Sequence, residues 1–306
     1  MKKTMLFLAA ISMAVAANAK ILRVSNVSGS SAPYTSIDAA HDAASAGDTI
    51  MVDASSAKYG GTNGKYDITK KLVIIGPGYW LVENDVIAEG SSSASVTTLN
   101  LKTAGIVVKG MDIKYLNIYG AQAVINRCTI SILDFKEGAN NGVITQCFIT
   151  GEPSGTSGAH ANYVQMTNNI FTSTTVNYLF TNFDNSYIAY NTFRNKNVKF
   201  YNSVKNTTIE HNLWKECTDN GSGNSLKDNY NCDIINTQAT NDFIDSDYYK
   251  LEIPEEVTTK YGAFAGDSPY IMSGVPSGPV IKDLVVPTTV ETGSKMNVTI
   301  KLEMIK

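Results

Sequence analysis

A six-residue phrase recurs through the middle of the chain and constrains its fold more than any other feature. It reads VKGMDI at 108–113, INRCTI at 125–130, ITQCFI at 144–149, MTNNIF at 166–171, IAYNTF at 188–193 and IEHNLW at 209–214. The intervals are 17, 19, 22, 22 and 21 residues, and LKDNYN at 226–231 is a weaker seventh copy. A period near twenty is too short for a pair of packed helices. With β-branched and aromatic residues at the apolar places, it suits one coil of a β-solenoid.

In such a coil the first and sixth positions of the phrase point inward and stack on their equivalents about 4.8 Å away in the next coil. The fourth position is Asn or Cys in five of the six best copies. It is assigned to the tight corner between two strands, because Asn tolerates the left-handed backbone such a corner needs. Asn169, Asn191 and Asn212 would form a ladder there, continued by Cys147 and Cys128 towards the N-terminus. Short apolar runs between the phrases, at 116–120, 132–135, 177–182 and 198–202, supply a further sheet.

A solenoid exposes core and strand edges unless its ends are covered. The stretch YTSIDAAHDAASAGDTIMV (34–52) has the apolar spacing of a short amphipathic helix, then Gly-Asp and a strand. It resembles the N-terminal cap of the pectin-lyase-like right-handed parallel β-helix superfamily. NDFIDSDYYKLEI…GDSPYIMSG (241–274) resembles that superfamily's closing coil. The resemblance implies an all-β chain, a right-handed parallel β-helix over 20–274. The proline-containing segment 275–306 is then a β-rich tail, similar to the tails of secreted β-helix proteins of Gram-negative gut bacteria.

The first nineteen residues combine Lys2 and Lys3, an apolar run and Ala17-Asn18-Ala19, the pattern of a cleaved signal peptide. Export to the periplasm, the outer surface or the medium is expected. No later apolar run is long enough to span a bilayer. The net charge is −3 and only Arg23, Arg127 and Arg194 are arginines, which argues against a nucleic-acid partner. The chain is expected to be a monomer. Cys217 and Cys232 lie fifteen residues apart, where one loop closure could join them or leave them free.

Catalytic equipment is sparse. Relatives that cleave polysaccharides use aspartate clusters holding calcium, or paired carboxylates. The densest acidic group here, Asp242, Asp245 and Asp247, lies inside the closing phrase. Arg194, Lys196 and His211 are the remaining candidates, similar to the cations with which alginate and chondroitin lyases of this fold work, but without those enzymes' motifs. No cofactor is expected, and calcium only if the chain were a lyase. Tyr178, Tyr187, Tyr190 and Tyr201 crowd two consecutive coils, with Lys199 and Glu210 beside them. Aromatic rings take the apolar faces of sugars while polar neighbours take the hydroxyls, so this group reads as a polysaccharide-binding surface. The reading is a non-catalytic glycan-binding β-helix; the alternatives are a divergent lyase or hydrolase, and a structural or protein-binding solenoid.

Overall fold

The computed structural model describes residues 19–61, 63–81, 93–172, 177–194, 197–232, 254–285 and 298–305. The leader up to residue 18, Lys196, and the aspartates at 242, 245 and 247 lie outside the described residues.

The chain is a parallel β-solenoid. Ten short strands, from Ile21–Val24 to Ser225–Lys227, stack as a first parallel sheet. A second sheet runs beside it from Lys65–Ile68 to Tyr230–Asn231. Two three-stranded sheets close the later coils: Ala161–Asn162, Phe183–Asp184 and Val204–Lys205, then Asn177–Phe180, Asn197–Phe200 and Cys217–Asp219.

The repeat explains the register. First positions pair in sequence, Val108 with Ile125, then Ile144, Met166, Ile188, Ile209 and Leu226. Those from Val108 to Ile209 are buried, as are the sixth positions Ile113, Ile130, Ile149, Phe171, Phe193 and Trp214. Coils add like residues onto like, so aromatic rings stack: Phe171 lies 4.7 Å from Phe193 at an interplanar angle of 8°. The helix Ile37–Ala43 begins at Ser36, whose hydroxyl accepts from the Ala39 amide, and buries Ile37 and Ala40 against the first coil. The Asp48 carboxylate accepts from the Lys20 and Ser45 amides and ties this cap to the first strand. No helix among the described residues is long and apolar enough to cross a membrane, and all four cysteines are free thiols.

The corner differs from the expectation. The left-handed residue is the third of the phrase, not the fourth: Gly110, Arg127, Gln146, Asn168, Tyr190, His211 and Asp228 all have φ between 51° and 61°. Turning the chain at the third position sends the fourth side chain into the core. There Asn169, Asn191, Asn212 and Asn229 form the ladder. Each Oδ1 accepts from the ladder amide one coil before it, at 2.9 Å in every case. The Nδ2 groups of Asn169, Asn191 and Asn212 also donate to first-sheet carbonyls of the preceding coil, those of Ile144, Met166 and Ile188. Cys147 accepts from the Cys128 amide at 3.5 Å, continuing the ladder with sulfur.

The described part of the expected closing coil, 254–274, adds no strand to the solenoid's end. After the short helix Glu255–Thr258 the chain turns back and runs as a strap across the coils, over the corner between the two main sheets. The Gly262 amide donates to the His211 carbonyl. Asn168 Nδ2 donates to the carbonyls of Ala263 and Ala265, Gln146 Nε2 to those of Ser268 and Pro269, and Arg127 Nη1 to that of Val275. Gly110 continues the row without a side chain because Pro276 lies there; a Cβ would come within 2.7 Å of the proline ring. The outward row of third positions is thus what holds the strap, and it buries three polar side chains, Arg127, Gln146 and Asn168, against backbone carbonyls.

Candidate functional site

Where the strap passes the later coils it forms one wall of a shallow groove on the first sheet. The groove has two adjoining depressions. One, of about 240 Å³, is lined by Thr167, Asn168, Tyr187, Tyr190 and strap residues Gly266, Asp267 and Ser268. The other, of about 300 Å³, is lined by Tyr190, His211, Asp228 and strap residues Thr259, Lys260, Tyr261 and Gly266.

Strand alternation builds the floor. In Tyr187–Ala189 and Thr208–Glu210 the central isoleucines point into the core, so Tyr187, Thr208 and Glu210 face out. The Tyr187 hydroxyl donates to Glu210 Oε1 at 2.8 Å, and Lys227 Nζ stands 3.6 Å from Glu210 Oε2. Burial, then the bond to Glu210, raises the Tyr187 phenol well above its ordinary range, so it stays protonated and holds one carboxylate oxygen. The left-handed corner supplies the aromatic edge. Tyr190 and His211 project outward there and stack at 4.7 Å and 14°. Tyr261 of the strap lies 6.3 Å beyond His211, and Tyr230 lies 5.4 Å from Tyr261. Gly266 rests on the Tyr190 ring: a Cβ there would sit 3.3–3.4 Å from three of its ring atoms.

The residues picked out by sequence therefore divide. Tyr187, Tyr190, Glu210 and His211 come together in the groove. Lys199 lies on a different sheet, in Asn197–Phe200, and Tyr201 follows it, 40% exposed. Tyr178 is paired beside them in Asn177–Phe180. Arg194 follows Thr192–Phe193, at the opposite end of the second-sheet strands from the corner that carries His211. Within the groove, Tyr190 and His211 have ring faces taken by each other and by the strap, which makes them supports, whereas Tyr187, Asp228, Lys260 and Asp267 present polar atoms. The strap residues Lys260, Tyr261 and Asp267 escape a reading of the repeat because they belong to no coil. The small-residue run GAFAG (262–266) is the signal that marks a segment able to lie flat on a corner.

The groove offers hydroxyl, carboxylate, ammonium and aromatic edges in a shallow, open trough. Such a surface can take hydrogen bonds from a polar chain lying across the coils. Comparison of the chain with family models, with curated proteins and with solved structures returns no match.

Proposed function

We propose that the protein is an exported, non-catalytic glycan-binding solenoid whose binding surface is the groove between the first sheet and the strap. The observation that carries this reading is the pair of adjoining depressions sharing Tyr190 and Gly266, with Tyr187, Thr167, Asp228 and Asp267 around them. Carboxylates and amides accept and donate to sugar hydroxyls in pairs, and aromatic edges exclude water from the ring's apolar side. Three carboxylates, Glu210, Asp228 and Asp267, stand in or beside the groove against the ammonium groups of Lys227 and Lys260. That balance favours a neutral glycan over a uronate polymer, whose own carboxylates would be repelled. Export rests on the leader at 1–19 and fits a ligand outside the cytoplasm.

Native electrophoresis of residues 20–306 through gels containing neutral or uronate polysaccharides tests the proposal. Retardation by a neutral polymer that survives added salt, and is lost in Asp267→Ala, supports it. Unchanged mobility across the panel rejects it, and salt-sensitive retardation by uronates alone would favour the lyase alternative.

A further inference from the structure

The C-terminal tail forms an antiparallel ribbon, Gly278–Val285 with Thr299–Ile305, and among the described residues it pairs with no other strand. A lone two-stranded ribbon is marginal in water and gains independent stability from a third strand or a packing partner. Its register sorts the residues by face. The opposed pairs Pro279 with Met304, Ile281 with Leu302 and Leu284 with Ile300 share one face. Gly278 with Ile305, Val280 with Glu303, Asp283 with Lys301 and Val285 with Thr299 share the other.

The two edges are not equivalent. Gly278–Val285 carries Pro279, which has no amide hydrogen, and a register shift between Ile281 and Asp283. Both features block further pairing. Thr299–Ile305 carries neither, and its sequence alternates polar and apolar residues from Thr299 to Met304 before ending in Ile305. The charges of that strand are antisymmetric about Leu302. In antiparallel pairing with itself about a two-fold at Leu302, Lys301 falls opposite the partner's Glu303 and Glu303 opposite the partner's Lys301. Leu302 then meets its own copy, and Ile300 meets the partner's Met304 on the apolar face. In-register parallel pairing would instead set lysine on lysine and glutamate on glutamate.

The register therefore points to a second copy of this chain as the occupant of the open edge. Two chains join through Thr299–Ile305 into a four-stranded antiparallel sheet, an isologous contact of the kind that closes a dimer. A slip of one residue would move the apolar set to the opposite face, so the two-fold at Leu302 is the favoured register. The expectation of a monomer takes no account of this edge.

Sedimentation of residues 20–306 tests the inference. The wild type is expected at twice the chain mass. Glu303→Lys sets a lysine against the partner's Lys301 twice over and should weaken the dimer on the order of thirtyfold. Lys301→Glu should do the same. An equimolar mixture of the two variants restores complementary pairs and should recover the dimer mass. A monomeric wild type, a Glu303→Lys chain that remains dimeric, or a mixture that stays monomeric would each overturn the inference.

Discussion

Asn191 shows how much one side chain holds in this fold. Its Oδ1 accepts from the amide and Nδ2 of Asn169, and its Nδ2 donates to Met166 O and Asn212 Oδ1, all out of reach of solvent. Asn191→Ala would leave the Asn169 amide buried without a partner and would take from the Met166 carbonyl the donor it has beyond the strand ladder. An orphaned buried amide costs about 1–3 kcal/mol, so a loss of about 2 kcal/mol is expected in urea unfolding. A loss below about 1 kcal/mol would mean that the ladder relaxes around the gap. At the thiols, burial and then Asp219 push Cys217 up to about 12. Native Cys217 should therefore alkylate at pH 8 far more slowly than in denaturant. In denaturant without reductant the chain should take up four alkyl groups, one for each free thiol; two would reveal a Cys217–Cys232 bond.

Among the elements, the strap depends on contacts that its own sequence does not advertise. Asn168→Gly keeps the left-handed corner but removes the bonds to Ala263 and Ala265, so it isolates the anchor from backbone strain. Hydrogen exchange at the Gly262 and Ala263 amides should quicken about tenfold, while first-sheet amides such as that of Tyr187 keep their protection. Equal loss in both would show that strap and coils open together. The cap behaves differently. Amides of Lys20 and Ser45 hold the Asp48 carboxyl below its ordinary value. A depressed carboxylate contributes stability above its unfolded pKa of about 3.9, and that stability is lost as pH falls through the folded value. Wild type should thus lose melting temperature below about pH 4 more steeply than Asp48→Asn.

The coils are legible in sequence because stacking repeats its demands: Ile125, Ile144 and Ile188 occupy one inward place, and Asn169, Asn191 and Asn212 another. The left-handed corner falls one place earlier than the sequence suggests. Arg, Gln, Asn, Tyr and His all occupy it, chosen for what they hold outside the coil, so no residue type marks it. The strap is hidden for a related reason: its partners are side chains 95 to 148 residues away, bonding to backbone carbonyls that any sequence supplies. Half of the proposed site lies on that strap, and only the half on the coils, Tyr187, Tyr190, Glu210 and His211, can be read from the repeat.

At the scale of the molecule, a rigid stack of coils gives the strap a straight corner to lie on, and the strap gives the flat first sheet a wall. Coils alone would present an outer face without a trough. A ligand in the groove must therefore touch both parts, strap residues 259–268 and coil residues 167–168, 187–190, 210–211 and 228. The most direct measurement is hydrogen exchange by mass spectrometry on residues 20–306, with and without a soluble neutral polysaccharide that retards the protein in gels. Protection confined to peptides covering 259–268, 167–168, 187–190, 210–211 and 228 is the predicted result. Protection elsewhere, for example over Asn197–Phe200 and Tyr201, or none in the strap, would contradict the groove as the binding surface.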